Sequence, residues 1–178
     1  MAQNVHLRPV SEADLALVER LTSDPDEAGP FGFFGYRYAG RVRRDFAENG
    51  YLGSDSGRLA VGIGPGSAGS EFVGEVSWHR QQRGPTSHCW NIGIGLLASA
   101  RGHGYGTIAQ RLLAEYLLAH TQVNRVEAET ETGNAAERRA LEKAGFTFEG
   151  IVRGSCFRAG AWRDMASYSI VRSDVALG

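Results

Sequence analysis

Leu96-Leu97-Ala98-Ser99-Ala100-Arg101-Gly102-His103-Gly104-Tyr105-Gly106-Thr107 is the stretch on which the fold turns. Glycines alternate at 102, 104 and 106, so successive backbone N–H groups there carry no Cβ and can face one ligand. A helix is predicted directly after it, over 107–120, with Ile108, Leu112, Leu113, Tyr116 and Leu117 on one face. Such a helix begins with unpaired N–H groups and the positive end of its dipole. The combination suits an anion, and a diphosphate in particular. An ordinary strand-to-helix turn needs fewer glycines.

Three nucleotide-binding readings compete for this loop. A P-loop requires Gly-Lys-Ser/Thr after its second glycine, and no such lysine is present. A dinucleotide fingerprint wants glycine where Thr107 stands, and a parallel β-α-β start. The third reading is a loop for the diphosphate of coenzyme A.

Outward from the loop, 88–97 reads as a strand ending in Ile92-Gly93-Ile94-Gly95-Leu96-Leu97. Before it, 58–64 and 71–79 alternate like a hairpin joined by turn chemistry over 65–70. Further back come a first strand over 5–10, a helix over 12–22 with Ser11 and Asp14 as a weak capping box, and Asp24-Pro25 as its stop. The run 28–40, in which Phe31, Phe33, Phe34, Tyr36 and Tyr38 are interleaved with glycines, reads as a mobile aromatic loop, with a second helix over 40–48. After the long helix come a strand over 124–130 and a helix over 135–144 that ends at Gly145. Closing strands follow over 146–153 and 166–172, with a turn near Gly160. Hairpins first and a β-α-β crossover later predict one domain over 1–178. Its fold class is α+β, layered in the three-layer α/β manner around a mixed, mostly antiparallel sheet of about seven strands flanked by helices.

Composition narrows the function. The chain has 178 residues and 24 glycines, close to twice the usual share of roughly 7%. Only 5 are proline and no three-residue period exists, which excludes collagen and a Pro/Gly linker. Lys plus Arg is 19 and Asp plus Glu is 20, for a net charge of -1, so a nucleic-acid partner is not expected. Two distant cysteines, Cys89 and Cys156, match no metal spacing and read as reduced thiols in a cytoplasmic protein. The first six residues carry no leader pattern, and no apolar run is long enough to span a bilayer, so no membrane partner is expected.

Arg101-x-x-Gly104-x-Gly106 resembles the Gln/Arg-x-x-Gly-x-Gly/Ala signature of the GNAT superfamily of N-acetyltransferases. Asn134 followed by a short helix and Gly145-Phe146 is similar to that superfamily's later segment. Glu149-Gly150 and Trp162-Arg163-Asp164 through Tyr168 look like its RimJ/RimL-like branch. The resemblance covers roughly 70–172, and the N-terminal half fits in topology alone. It implies the acyl-CoA N-acyltransferase fold and an acetyltransferase that moves acetyl from acetyl-CoA to a primary amine by direct attack on the thioester. It also implies cofactor binding by Ile94, Leu96, Leu97, Arg101, Gly102, His103, Gly104, Tyr105, Gly106, Thr107 and Asn134, with no metal. The strands 90–97 and 124–130 are expected to splay and hold the pantetheine as a pseudo-strand. A backbone N–H at the end of the first should meet the thioester oxygen.

The partners expected are a small-molecule amine or a protein N-terminus as acceptor, and a second copy of the chain in a homodimer. The amine must lose a proton before attack, since an α-amino group has a pKa near 8 and a lysine near 10.4. Glu75 is the preferred base, through water, with His79 and His88 as substitutes. The family's tyrosine acid corresponds to Leu141 and its serine to Glu137, and a frequent glutamate of the related chains to Asn91. Glu127, Glu129 and Glu131 share one strand face and read as a solvated face before an acidic collar. Trp78, Trp90 and Trp162 read as core or pocket wall, and Phe33, Phe34 and Tyr36 as acceptor contacts. Two alternatives stay open: a non-catalytic CoA-binding sensor or scaffold, and transfer of another acyl group such as succinyl.

Overall fold

The computed structural model describes residues 4–38, 40–66 and 69–175. Residues 1–3, where no leader pattern is expected, residue 39 of the expected aromatic loop, residues 67 and 68 of the expected turn, and residues 176–178 lie outside them. A seven-stranded sheet runs through the molecule in the order β1-β2-β3-β4-β5-β7-β6. Its strands are β1 (Val5–Pro9), β2 (Ser56–Ile63), β3 (Glu71–Gln82), β4 (His88–Leu96), β5 (Arg125–Glu131), β6 (Thr147–Arg158) and β7 (Ala161–Val171). Every pairing is antiparallel except β4 with β5, which α4 (Tyr105–His120) joins as a crossover. The mixed, mostly antiparallel sheet expected from the sequence is the one observed.

Side-chain alternation sorts the strands onto two cores. Leu59 and Val61 of β2 join Val76, Trp78, Trp90, Ile92 and Val126 under α4 and α5 (Ala135–Ala144). Ala60, between them, points to the opposite core, where α1 (Leu15–Ser23) and α3 (Gly40–Asn49) set Leu15, Val18, Leu21 and Val42. Helices therefore cover both faces of the sheet.

The predicted 12–22 helix divides into a short 3-10 turn, Glu12–Asp14, and α1. Asp14 ends that turn with its carboxylate taking the Ser11 N–H at 2.8 Å, the Ser11 hydroxyl at 2.7 Å and the Arg8 guanidinium at 2.7 Å. Burial would raise this carboxyl, but Arg8 and Ser11 hold it at about 2.

Two expectations are corrected. Part of the expected aromatic loop is helical: α2 (Pro25–Gly32) starts with Pro25 in its first turn and the Asp24 carboxylate on the Asp26 N–H at 2.9 Å, and Gly29 breaks it at φ 73°. Its contacts with the glycine loop, far away in sequence, stabilise it there. The closing strands are also longer than expected and form one hairpin turning at Ala159-Gly160. Trp162 lies on it 67% exposed, edge-on to Phe157, near the hairpin tip and beyond Met165, where the pairing of β7 with β5 ends. Trp78 and Trp90 are core, as expected. None of the helices in the described residues is long and apolar enough to cross a membrane.

Candidate active site

The site begins where β4 and β5 part. They pair only from Trp90 opposite Val126 to Ile92 opposite Ala128, although β4 runs on to Leu96 and β5 to Glu131. β4 stays paired with β3 throughout, Glu75 lying opposite Gly95 and Gly74 opposite Leu96. The β5-facing edge of 93–96 is therefore left without a strand partner, and a cleft of about 880 Å³ opens beside it. Backbone groups released from a ladder in this way await a ligand that can pair with them.

The glycine loop forms one end of the cleft. At Gly102 and Gly104 φ is +79° and +81°, and a Cβ at either would meet nothing within 4 Å. The backbone thus demands glycine there while the space in front stays open. At Gly106 a Cβ would only touch Leu96 and Ile94 carbons at 3.5 and 3.6 Å. Gly104 caps α4, whose first N–H groups face the cleft end. This donor set, with Arg139 and Lys143 of α5 on the same cleft wall, fits a phosphorylated ligand. Those two cations lie four residues apart on α5, a spacing that could have marked them in the sequence.

Of the residues expected to bind cofactor, Ile94, Leu96, Arg101, Gly102, Gly104, Gly106, Thr107 and Asn134 line this cleft. Leu97, His103 and Tyr105 do not. Leu97 is packed between the two cores, and Tyr105 is buried in the main core with His103 stacked on its ring at 5.4 Å. Arg101 turns its guanidinium back: Nε donates to the Leu96 carbonyl at 3.1 Å, and a terminal nitrogen donates to the Glu27 carbonyl of α2. Asn134 caps α5 by accepting the Glu137 N–H at 3.3 Å, and donates to the Thr130 hydroxyl at 3.1 Å.

Glu75 lies in the cleft wall, buried and paired with Arg58 of β2. Burial raises its carboxyl above the ordinary range and Arg58 opposes that shift. His79 lies away from the cleft, and His88 sits edge-on to Trp90. Leu141 is fully buried core. Glu137 lines the cleft.

The glutamate face of β5 is not solvated as expected. Glu127 is 1% exposed and held by Arg83 and Arg125, and Glu131 is buried against Arg158 at 2.8 Å. Glu129 alone is exposed. Arg125 lies on β5 itself, two residues from Glu127 and on the same face, where strand periodicity could have marked it. Arg83 and Arg158 come from distant segments, and periodicity carried no sign of them. Phe34 lines the cleft, while Phe33 and Tyr36 pack edge-on against each other at 5.3 Å.

Sequence reasoning missed α2 as a wall. The Glu27 carboxylate accepts the Ala98 N–H at 2.9 Å and pairs with Arg20, a Cβ at Gly29 would meet Arg101 at 2.8 Å, and Arg158 lies over the Phe31 ring at 5.5 Å. These contacts tie α2 both to the loop and to the β6 hairpin.

Residues 4–147 match the family model described as "Acetyltransferase (GNAT) domain". The chain is 34% identical over 103 residues to the "Probable N-acetyltransferase YjcK" of Bacillus subtilis (strain 168); the match takes in 58% of this chain and spans 56% of the length of that relative. Its fold is similar to the Vibrio cholerae spermidine N-acetyltransferase solved with CoA and spermine (TM-score 0.80, 15% identity, 96% of each chain). It is likewise similar to the Mycobacterium smegmatis RimJ solved with CoA-disulfide (TM-score 0.76, 24% identity, 98% of this chain and 85% of that one). A parted strand pair, an open glycine loop at a helix start and a family match across most of the chain converge, and the chain belongs to the GNAT acetyltransferase family.

Proposed function

We propose that this protein transfers acetyl from acetyl-CoA to a primary amine. The observation that carries the reading is the unpaired edge of β4 running straight into the open glycine loop. That geometry offers ladder hydrogen bonds to an extended amide chain and N–H groups to a diphosphate at its end. When bound, acetyl-CoA supplies an acyl carbon activated as a thioester.

In this reading the backbone of Gly102 to Thr107 takes the diphosphate, with His103 and Tyr105 contributing main chain only. Arg139 and Lys143 add positive charge, and Ile94 and Leu96 supply apolar wall. Leu97 and Arg101 hold the loop in shape from behind, and Asn134 approaches from the α5 side. A β4 N–H near the end of the strand stabilises the charge that develops on the thioester oxygen. Glu75, across β4 from the gap, draws the proton from the amine through water. Its anionic form is secured by Arg58, and its basicity is raised by burial. The free Cys89 and Cys156 are in keeping with work in the cytoplasm.

The test is release of CoA thiol from acetyl-CoA across a panel of peptide α-amines, lysine side chains, polyamines and small amines, with the acetylated product weighed by mass spectrometry. Turnover on at least one amine is expected. Tight acetyl-CoA binding with no product from any amine would replace this reading with that of a CoA-binding module.

A further inference from the structure

Five carboxyl groups line the cleft: Glu27, Glu75, Glu129, Glu131 and Glu137. Three carry an arginine, since Glu27 holds Arg20, Glu75 holds Arg58 and Glu131 holds Arg158. Glu129 is exposed to water, which stabilises its charge. Glu137 has neither form of support. It is half-buried in the first turn of α5, and no ion pair reaches it among the described residues. Its neighbour is the neutral Gln110 of α4, fully buried, whose amide also donates to the Gly106 carbonyl at 3.1 Å. β5 brings Thr130 and the already neutralised Glu131 to the same cleft. On α5, Arg138 is turned to the Tyr168 hydroxyl at 3.1 Å, while Arg139 and Lys143 are exposed further along the wall.

Two carboxyl groups on facing walls thus differ in kind. Glu75 stands on the β3–β4 side with a fixed cation. Glu137 stands on the α5 side of the same cleft, linked through Gln110 to the carbonyl of the last loop glycine, with none. Paired carboxyls held in such opposed environments divide acid from base.

We propose that Glu137 is the acid of the reaction, giving its proton to the sulfur that leaves the acyl carbon. The inference rests on acetyl transfer as the activity. As the amine nitrogen bonds to the acyl carbon, the carbon–sulfur bond breaks and the sulfur keeps the electron pair. The nitrogen's proton goes to Glu75 through water, and the Glu137 proton goes to sulfur. Solvent then returns a proton to Glu137 and removes one from Glu75, so protons balance over the cycle. Burial raises the Glu137 carboxyl to about 7, against a small opposing effect of Gln110. A substantial share of it therefore keeps its proton near neutral pH, far more than an ordinary carboxyl would, and the acid form is lost as pH rises through that value.

Two measurements on the full chain test this. The first is a 13C-carboxyl glutamate NMR titration, the Glu137 signal being identified by its loss in Glu137→Gln. A midpoint near neutrality is expected, and titration in the ordinary carboxylate range overturns the proposal. The second is kcat against pH at saturating acetyl-CoA. Glu137→Gln should lose at least tenfold in kcat at neutral pH and lose the alkaline limb, with CoA affinity unchanged within about twofold, and Glu137→Asp should recover part of the rate. An active protein whose Glu137→Gln variant keeps the unaltered kcat and alkaline limb overturns the acid role alone. A folded, unaltered protein that releases no CoA with any amine overturns acetyl transfer itself, and the acid role with it.

Discussion

The two ends of the cleft are built by opposite means. The loop end is local: three alternating glycines, the start of α4 and the end of β4 lie within a dozen residues, and their geometry follows from neighbours in the chain. The wall opposite is assembled from afar. Arg101 reaches a carbonyl 74 residues away in α2, Ala98 reaches Glu27 71 residues away, and Glu131 is neutralised by an arginine 27 residues on. A local anion site tolerates divergence elsewhere, whereas an assembled wall depends on every segment arriving together. The loop end should therefore fail outright on a single backbone insult, and the assembled wall should weaken by degrees.

The largest expected effect breaks the local end. Gly104→Val puts a branched residue at φ +81°, a conformation that costs such a side chain on the order of 1–3 kcal/mol, and fills the open space the loop leaves for a diphosphate. CoA affinity measured by calorimetry should fall by more than about 100-fold, in a protein whose circular dichroism is retained. Unchanged affinity would remove the loop from the binding site.

Glu75→Gln comes next and tests the shared floor of the two ends. Loss of a base costs about 10²–10⁴ in rate, and the rate that remains should rise with pH as more of the acceptor becomes free amine. In the unaltered protein, activity should fall as pH drops and protonates Glu75, whose range is shifted upward by burial. A variant with the unaltered pH profile would strip Glu75 of this role.

Arg101→Ala breaks the assembled wall. Two hydrogen bonds from a charged group disappear, to Leu96 and to Glu27, at a cost of about 2 kcal/mol, which in a chain of this size is a drop of about 5 °C in Tm. The KM for the acceptor should rise more than that for acetyl-CoA, because α2 is freed while the glycines remain. An equal rise in both would mean that the wall and the loop are one unit.

The smallest effect is expected from Arg139→Ala with Lys143→Ala. Both side chains are exposed, so each phosphate contact is screened by salt. CoA affinity should fall about three- to tenfold at low ionic strength, with the difference shrinking as salt is added.

How far the sequence could be read follows the same division. Whereas the splay was implied only by the family resemblance, the element order and the crossover were legible because alternation, glycine spacing and amphipathic period act over a few residues, as in 88–97 and 107–120. The glycine loop was legible for the same reason. Tyr105 and His103 within it were read as ligand contacts, yet they stack together over the main core, since a side chain's direction depends on which layer lies beneath it. Residues 28–32 read as part of an aromatic loop because aromatics alternate there with glycines, and the contacts of Arg101 and Glu27 hold them in a helix.

By itself the sequence determined the sheet, its crossover and the anion-ready loop, because each is written in backbone freedom and short-range periodicity. Only the tertiary structure decided which of the cleft's buried and half-buried carboxyl groups stand beside an arginine and which does not. Glu75, Glu131 and Glu137 are the same residue type, and what separates them is an arginine supplied, or not supplied, by a strand elsewhere in the chain, together with the water that packing removes.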